Sequence, residues 1–243
     1  MSALLATKGL TKRYGGLIAN DAVAMTLTAG EIRGLIGPNG AGKTTFVNII
    51  TGIERADSGE VTLNGTAVTG LAPHLIASRG LVRSFQVARV FGNLTVRENL
   101  MVPYFASEHT RGTAEAVARI AELLHLSTLE PLADDLAKSL SGGQRMLLQA
   151  CSGFMIPDVK VHVLDEPFAG INPVVKDTLI ELILKENQAG AMFLIVSHEM
   201  DIIRRICPRV TVMIAGKVAA EGPLDEIARR EDVVTAYLGR SLQ

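Results

Sequence analysis

One nine-residue stretch decides the fold of this chain: Gly37-Pro38-Asn39-Gly40-Ala41-Gly42-Lys43-Thr44-Thr45. It fits the pattern G-x-x-x-x-G-K-[ST], the loop that cradles nucleotide phosphates. Residues 31–36 before it read as a short buried strand, and residues 46–50 after it read as the apolar start of a helix. The motif requires this strand–loop–helix context. The stretch therefore predicts a nucleotide-binding α/β protein.

Phosphate binding needs the residue types found in this loop. Three glycines allow the backbone to turn tightly and to approach a ligand closely. The N–H groups at the start of the following helix point at the phosphates, and the helix dipole favours negative charge there. Lys43 can reach the β- and γ-phosphates, and the Thr44 hydroxyl can ligate Mg²⁺. The alternative, an ordinary glycine-rich turn before a helix, is disfavoured because the complete pattern and its context agree.

Two further segments narrow the class of nucleotide-binding protein. The stretch Leu140-Ser141-Gly142-Gly143-Gln144 precedes a helical segment; Ser141 is a natural N-cap, and the two glycines allow close approach to an anion. The apolar run 161–164 ends in Asp165 and Glu166, so a buried strand delivers two acids to the sheet edge where ligands bind. We expect Asp165 to hold the Mg²⁺ shell and Glu166 to orient or deprotonate the attacking water.

Together, the segments GPNGAGKTT, LSGGQ and DEP resemble those of the ATPase subunits of ABC transporters, and the resemblance extends from Leu5 to Gly239. It implies an α/β fold: a P-loop NTPase core with a mainly parallel sheet, an N-terminal antiparallel β layer and an inserted helical lobe. It also implies ATP and Mg²⁺ as cofactors. The single domain would span residues 1–243. Its core and β layer would occupy about 1–87 and 156–243, and its helical lobe about 88–155.

The same resemblance implies roles for individual residues. The catalytic residues would be Glu166, His198, which binds the γ-phosphate in this family, and Lys43. The nucleotide would be bound by Tyr14, whose ring stacks on adenine, by residues 37–45, and by Gln86, which also senses the membrane partner. Mg²⁺ would be held by Thr44, Gln86 and Asp165. The ATP of the other subunit would be contacted by Ser141, Gly142, Gly143 and Gln144.

Some of these positions also admit a purely structural role. Tyr14 taken alone could be a packed surface ring, and an isolated histidine is more often structural than catalytic. His198 is favoured as functional because it follows the apolar strand at 192–196. His162 lies inside the strand before Asp165, where the family usually has an aliphatic residue. We interpret His162 as a packed or edge histidine and not as a ligand.

Besides His162, two residues depart from the family pattern. Asn172 occupies the loop that would cross the dimer interface, at a position where many family members carry aspartate. Gly153 lies in the helix after LSGGQ and should weaken it by about 1 kcal/mol relative to alanine. Neither residue belongs to the phosphate chemistry, so we expect both departures to affect local packing.

Composition disfavours several other classes of protein. A net charge of −1 gives no general attraction to nucleic acid or to acidic lipid. Although 48% of the residues are apolar, no apolar run approaches the ~18–20 residues that span a bilayer. The N-terminus shows no signal-peptide pattern. Cys151 and Cys207 read as buried free thiols in a reducing compartment. We therefore expect a cytoplasmic protein that reaches the membrane through a partner.

The remaining pattern predicts the order of the elements. Residues 4–30 and 60–70 alternate apolar and polar positions, which favours an antiparallel β layer. A strand is expected at 81–86. One face of a helix is marked by Ala116, Val117, Ile120, Leu123 and Leu124. Pro173 should begin a helix that runs to about Asn187, with Asn172 as its N-cap. The C-terminal part predicts a hairpin near Ala215-Gly216 and a short helix at 224–230.

The resemblance also implies a dimer driven by ATP. Two copies, or one copy and a related ATPase, would pack head to tail with two ATP molecules between them. Closing and reopening of this dimer would move transmembrane permease subunits on the inner face of the cell membrane. A substrate-binding protein would be linked to it indirectly, and no nucleic acid partner is expected.

Four stretches resemble, more narrowly, the ATPase subunits of branched-chain amino acid importers: residues 83–86, 90–100, 169–173 and 236–239. Related subunits handle urea or short amides, and a close branch drives lipopolysaccharide export. Residues 90–100 also fit ordinary packing of a helical lobe, and the ending also fits a C-terminal cap. The sequence therefore favours an importer of hydrophobic amino acids or small amides and leaves the exporter as an alternative.

Two classes other than transport remain open. One is a soluble ABC-type ATPase that acts on ribosomes or DNA repair complexes. The near-neutral charge and the single ATPase unit disfavour that class. The other is a regulatory subunit that binds ATP with weak catalysis. The presence of both Glu166 and His198 argues against it, and a measured turnover would decide.

Overall fold

Two β-sheets with helices around them make up this computed structural model, which describes residues 3–84, 89–106 and 112–238. The strands are β1 (Ala3–Tyr14), β2 (Leu17–Thr28), β3 (Ile32–Ile36), β4 (Ser58–Leu63), β5 (Thr66–Ala67), β6 (Leu81–Ser84), β7 (Val161–Asp165), β8 (Met192–Val196), β9 (Arg209–Ile214) and β10 (Lys217–Gly222). The α-helices are α1 (Lys43–Ile50), α2 (Pro73–Ala77), α3 (Val96–Phe105), α4 (Thr113–Leu126), α5 (Gly142–Phe154), α6 (Pro173–Gln188), α7 (Met200–Ile206), α8 (Leu224–Ile227) and α9 (Glu231–Leu238).

The larger sheet has the strand order β10-β9-β3-β8-β7-β6. Its strands run parallel except for β10, which pairs with β9 in the antiparallel sense. Every residue of β3, β7 and β8 is buried, as expected for strands covered on both faces. The carboxyl ends of these three central strands therefore meet at one edge, where open α/β sheets bind their ligands.

The smaller sheet is antiparallel, with the order β2-β1-β4-β5, and confirms the predicted β layer. Along β2, buried Val23, Met25 and Leu27 alternate with more exposed neighbours, so one face of the sheet turns inward. That face shares a core with Phe46 and Ile50 of α1 and with residues of β3, β7 and β8. Helix α1 is therefore held between the two sheets, and its N-terminus has a fixed position.

Helices α3, α4 and α5 lie between β6 and β7 in the sequence, and they pack together. On α4 the predicted apolar face is confirmed for Ala116, Ile120, Leu123 and Leu124, which are buried. The prediction was wrong for Val117, which is 48% exposed. The buried residues follow the i, i+4, i+7, i+8 spacing of one helix face, and Val117 lies on its flank.

Most element boundaries match the sequence prediction. Helix α6 ends at Gln188, and the hairpin turn between β9 and β10 contains Ala215 and Gly216, both with positive φ. Helix α8 ends at Ile227, three residues before the predicted end. Strand β6 ends at Ser84, and Gln86 lies outside the described residues. Within the described ranges, no helix is long and apolar enough to cross a membrane.

His162 belongs to the interior, as interpreted from the sequence. It lies on β7, which is flanked by β6 and β8, so the packed position is confirmed and the edge position is not. Its ring stacks on Phe193 at 5.2 Å and meets Phe154 of α5 edge-on at 5.1 Å. Burial, helped by the charge of Arg119, lowers the pKa of His162 to about 3. The ring is therefore neutral at physiological pH.

Both cysteines are buried free thiols, as predicted. Burial raises the pKa of Cys151 and of Cys207 to about 12. Neither thiol is therefore ionised near neutral pH, and both behave as small apolar residues of the core.

Candidate nucleotide-binding site

The loop between β3 and α1 has a shape that glycine alone accepts. The φ angles are 152° at Gly37, 76° at Gly40 and 96° at Gly42. A Cβ atom on Gly42 would lie 2.2 Å from the carbonyl oxygen of Ala19 on β2, and one on Gly37 would lie 2.2 Å from that of Met213 on β9. The loop is thus pressed between two strands, which preset its conformation.

The hairpin turn between β9 and β10 also holds this loop. Gly216 N donates a hydrogen bond to the carbonyl oxygen of Ala41 at 3.0 Å, and Asp21 N donates to the carbonyl oxygen of Gly216 at 2.9 Å. A Cβ on Gly216 would lie 2.9 Å from the carbonyl oxygen of Ala19. One turn therefore ties the phosphate loop to β2.

Lys43 is the first residue of α1, and its ammonium group lies over the loop. Nζ donates hydrogen bonds to the carbonyl oxygens of Gly37 at 2.6 Å and Pro38 at 3.1 Å. Burial lowers the pKa of Lys43, although the charges of Glu166 and Asp165 oppose the shift. A phosphate oxygen that enters the loop would accept hydrogen bonds from the same ammonium group, in a partly desolvated setting where the attraction is strong.

The two acids at the end of β7 have different surroundings. Asp165 Oδ2 accepts a hydrogen bond from Arg83 Nη2 at 2.5 Å, so this carboxylate is held in an ion pair. Glu166 has a φ of 50°, an unusual angle for a residue other than glycine. Its Oε2 atom is buried and accepts no hydrogen bond from any described residue. Asp165 is therefore fixed, while Glu166 keeps an acceptor for a water or a ligand.

His198 stands beside Glu166 because their strands are neighbours. Asp165 pairs with Val196 in the register of β7 and β8, and Glu166 N donates to the carbonyl oxygen of Val196 at 2.8 Å. His198 Nδ1 lies 2.9 Å from Glu166 Oε2, within ion-pair distance but without hydrogen-bond alignment. The histidine side chain is 72% exposed. It is therefore accessible to a ligand that contacts Glu166 from the solvent side.

The donor atoms at this edge suit magnesium. The Thr44 hydroxyl on α1 and the Asp165 carboxylate are hard oxygen donors, which Mg²⁺ prefers. The third expected ligand, Gln86, lies outside the described residues. In the part of the chain that the structure describes, no group of three or more His, Cys, Asp or Glu could hold a metal. Mg²⁺ in nucleotide sites commonly takes one or two protein ligands and completes its shell with phosphates and water, so these residues fit that ion.

Tyr14 ends β1 close to the start of α1. Its hydroxyl donates a hydrogen bond to the carboxylate of Glu54, and Lys12 Nζ lies 5.5 Å from the ring centroid. Desolvation and the bond to Glu54 raise the pKa of Tyr14, while a contact with Thr45 opposes the shift. The ring is 46% exposed. It therefore offers an aromatic face for a base next to the phosphate loop.

The segment Leu140–Gln144 forms the N-terminus of α5, and its predicted cap is confirmed. Ser141 Oγ accepts a hydrogen bond from Gln144 N at 3.3 Å, and Gln144 Oε1 accepts one from Ser141 N at 2.8 Å. A Cβ on Gly143 would lie 3.0 Å from Val175 of α6, whereas one on Gly142 would meet nothing within 4 Å. Gly143 thus serves helix packing, and Gly142 faces open space.

Asn172 caps the neighbouring helix. Its side-chain oxygen accepts a hydrogen bond from Val175 N at 3.0 Å, the geometry of an N-cap at the start of α6. Asparagine and aspartate serve this position about equally well. The departure from aspartate therefore leaves the helix start intact.

The predicted residues form two groups. The first group surrounds the carboxyl edge of the large sheet and consists of residues 37–45, Tyr14, Asp165, Glu166 and His198. The second group consists of residues 141–144 at the N-terminus of α5. Among the described residues, no hydrogen bond joins 141–144 to 37–45.

Sequence reasoning missed two residues of this site, Arg83 and Asn48. Arg83 Nη1 donates a hydrogen bond to Asn48 Oδ1 at 2.7 Å, and its Nη2 donates to Asp165. The available signal for Arg83 was a charged residue within the strand predicted at 81–86. Nothing in the sequence pattern marks Asn48.

The chain is similar in sequence to a known family and to several named proteins. The family model described as "ABC transporter" matches residues 20–169. The probable branched-chain amino acid transport ATP-binding protein LivG of Archaeoglobus fulgidus is 36% identical over 246 residues, 97% of this chain and 95% of that protein. The high-affinity branched-chain amino acid transport ATP-binding protein BraF of Pseudomonas aeruginosa is 34% identical over 252 residues, 98% of each chain.

Solved structures show the same fold. A nucleotide-free ATP-binding cassette from an ABC transporter superimposes with a TM-score of 0.85 at 30% identity, covering 97% of this chain and 99% of that one. The ADP conformation of the ATP-binding cassette MJ1267 gives a TM-score of 0.85 at 29% identity, covering 98% of this chain and 100% of that one. The expected α/β fold is therefore confirmed.

Proposed function

The chain belongs to the ABC transporter family as an ATP-hydrolysing subunit, and we propose that it powers the import of branched-chain amino acids. Relatives named for branched-chain amino acid transport match 97–98% of this chain at 34–36% identity. We base the proposed substrate on this similarity over nearly the full chain. It favours branched-chain amino acids over small amides, and import over the lipopolysaccharide export considered from the sequence.

The ATPase chemistry is carried by one observation, the unbonded Oε2 of Glu166 beside His198 at the sheet edge that bears the phosphate loop. In phosphoryl transfer the protein mainly positions groups and neutralises charge. Lys43 and the loop amides would bind the β- and γ-phosphates. Glu166 would orient or deprotonate the attacking water, and His198 would contact the γ-phosphate. Tyr14 would stack on the adenine.

Magnesium fits this scheme as a companion of ATP. Thr44 and Asp165 would hold the ion, and Gln86 is the third proposed ligand. When bound, Mg²⁺ supplies charge neutralisation on the phosphate oxygens. The role of this chain's residues is to present one hydroxyl and one carboxylate from two elements, α1 and β7, that are packed together before the nucleotide arrives.

A second ATPase subunit completes the proposed site. The open space at Gly142 and the capped N-terminus of α5 leave backbone N–H groups available to an anion from outside the chain. Ser141, Gly142, Gly143 and Gln144 would contact the ATP of the partner subunit, and Asn172 would lie in the interface. The partner is a second copy or a related ATPase.

The proposed membrane partner is a permease. A cleft of about 240 Å³ opens between β6 and α5. Ser84 and Arg89 line the cleft. In the sequence they flank residues 85–88, which lie outside the described residues and include Gln86, the residue proposed to sense the partner. Docking there would place this chain on the cytoplasmic face of the membrane. A substrate-binding protein would act through the permease.

A tagged Glu166→Gln variant tests this proposal. Removing the carboxylate should lower steady-state hydrolysis at least about 100-fold, because a general base contributes that much, and should trap an ATP-bound dimer. With ATP and Mg²⁺ in detergent-solubilised membranes of its own cells, we expect it to co-purify two polytopic permeases and a second ATPase. Glu199→Gln is the matched control, since Glu199 pairs with Lys176 at the same edge and should keep turnover.

Three results would contradict parts of the proposal. Unimpaired hydrolysis by Glu166→Gln would remove Glu166 from its catalytic role. Recovery of soluble partners alone, such as ribosomal or repair proteins, would remove transport from the function. Unchanged uptake of labelled leucine by cells that carry Glu166→Gln in place of the wild-type chain would exclude branched-chain amino acids as the substrate.

A further inference from the structure

Arg83 joins two elements of the site with one side chain. Its guanidinium donates from Nη1 to Asn48 Oδ1 on α1 at 2.7 Å and from Nη2 to Asp165 Oδ2 at the end of β7 at 2.5 Å. Both charged side chains are largely buried, with 9% exposure for Arg83 and 12% for Asp165. The planar fork of arginine suits such a double contact, and charge-assisted hydrogen bonds of this length are strong.

The position of Asn48 on α1 shows which parts of the site the bridge connects. Asn48 follows Thr44 by four residues on α1, so the two side chains lie on the same face of the helix, one turn apart. Thr44 and Asp165 are the proposed magnesium ligands. Asn48, Arg83 and Asp165 therefore link the same helix and the same strand end that the metal would link, one helical turn further along α1.

The charges of the site support the same role. Asp165 and Glu166 are adjacent acids at a partly buried edge, and Lys43 is the cation on the loop side. Arg83 supplies a second cation and bonds Asp165 through Oδ2. A buried carboxylate is costly unless it is paired. Arg83 therefore pairs with Asp165 and fixes the orientation of its carboxylate.

We propose that Arg83 is a positioning residue that presets Asp165 for the magnesium ion of the nucleotide, through a bridge to Asn48. The inference rests on the proposed function, since it assigns Asp165 to the metal. Residues outside a metal's ligand shell that orient a ligand typically change metal affinity 10- to 100-fold when they are replaced. Arg83 acts through Asp165 and has no contact of its own with the reacting atoms in this scheme.

The test measures metal binding directly. Mn²⁺ serves as the probe for the magnesium position, and its binding in the presence of saturating ADP is followed by electron paramagnetic resonance. Arg83→Met should raise the half-saturating Mn²⁺ concentration about tenfold. Arg83→Lys should give a smaller rise, because lysine keeps the charge but lacks the fork that reaches both Asn48 and Asp165.

Arg119→Met is the matched control. Arg119 forms a partly buried ion pair with Glu186 at 2.6 Å between α4 and α6, away from the sheet edge. Its loss should lower stability and leave Mn²⁺ affinity at the wild-type value. A second readout is the Mg²⁺ dependence of ATP turnover. In Arg83→Met the half-saturating Mg²⁺ concentration should rise, and saturating Mg²⁺ should restore most of kcat.

The outcomes separate the two proposals. Wild-type Mn²⁺ affinity in Arg83→Met, with ADP binding and ATP turnover intact in the wild type and in Arg119→Met, would overturn the role of Arg83 alone. Absence of ADP binding and of turnover in the wild type would instead overturn the proposed function. Should Arg83→Met not fold, Asn48→Ala removes the other end of the bridge. A raised Mn²⁺ requirement in Asn48→Ala supports the proposal, and an unchanged one overturns it.

Discussion

Two glycine-rich segments of this chain precede helices, and they differ in what surrounds them. At 37–45 the glycines have positive φ angles, and two of them are pressed against backbone carbonyls of β2 and β9. At 140–144 one glycine packs on Val175, the other faces open space, and the helix start is capped by its own side chains. The first segment is shaped by the rest of its own chain. The second is a capped helix N-terminus with open space beside Gly142.

This difference shows that glycine is needed for different reasons in the two segments. Glycine at 42 is required by strain and by close packing within the chain. Glycine at 142 is required by neither, so this position is open to the proposed contact with a partner subunit. In the proposed dimer, the first segment binds the subunit's own ATP and the second approaches the ATP of the partner.

The largest expected effect comes from exchanging one glycine in each segment for alanine. Gly42→Ala places a Cβ 2.2 Å from a backbone oxygen at a φ of 96°, so it should destabilise the fold by about 1–3 kcal/mol or more. It should also abolish nucleotide binding by the isolated subunit. Gly142→Ala should change the free energy of unfolding by less than about 1 kcal/mol and leave that binding intact, while ATP turnover falls. Chemical denaturation, nucleotide titration and turnover measure the three effects.

Equal loss of stability in both variants would break the comparison, because it would mean that Gly142 also serves the fold. Full turnover by Gly142→Ala would contradict its proposed approach to the partner's ATP. The experiment separates folding from assembly, since in the proposed dimer only turnover depends on the second subunit.

A smaller effect is expected from pH, through His162, whose ring packs between β7 and α5. His162 lies on the strand that ends in Asp165 and packs against Phe154 of α5, the helix that begins with the second segment. Its folded pKa of about 3 lies below the ordinary value of about 6.5. Below pH 6.5 the unfolded chain therefore binds a proton that the folded chain excludes. At pH 5 this should cost about 2 kcal/mol of stability relative to pH 7.5.

His162→Phe keeps an aromatic ring and removes the proton-binding group. The variant should lose correspondingly less stability between pH 7.5 and pH 5 in denaturant titrations. His125→Phe is the control, because His125 is exposed on α4 and should leave the acid-induced loss at its wild-type size. An equal acid-induced loss in wild type and His162→Phe would show that this ring does not carry the effect.

The smallest effect concerns Gly153, near the other end of α5. A Cβ there would meet nothing within 4 Å, and the residue lies inside the helix. Gly153→Ala should therefore stabilise the chain by about 0.5–1 kcal/mol without changing turnover. Measured with Gly142→Ala, it sharpens the comparison within one helix. A loss of turnover in Gly153→Ala would mean that α5 as a whole, and not its first turn, is sensitive to added side chains.

The sequence predicted those parts of the site that depend on local pattern. The phosphate loop follows the buried strand β3, the two acids lie at the end of β7, and His198 follows β8. Parallel strands bring these ends to one edge of the sheet. The bridge from Arg83 to Asp165 joins residues 82 positions apart. Such a bond depends on the pairing of β6 with β7 and on side-chain geometry, neither of which has a sequence signature. Val117 was wrongly assigned to the buried face of α4 because it is as apolar as the residues of that face and lies next to it.

The turn at Ala215-Gly216 determines when, during synthesis, the phosphate loop can be held in place. Gly216 N donates a hydrogen bond to the carbonyl oxygen of Ala41, so the phosphate loop is held by a residue that comes much later in the chain. During synthesis the phosphate-binding sequence leaves the ribosome long before the turn that secures it. A growing chain thus carries the complete motif without the contact that helps to shape it, and the loop gains this contact only after residue 216 has been made.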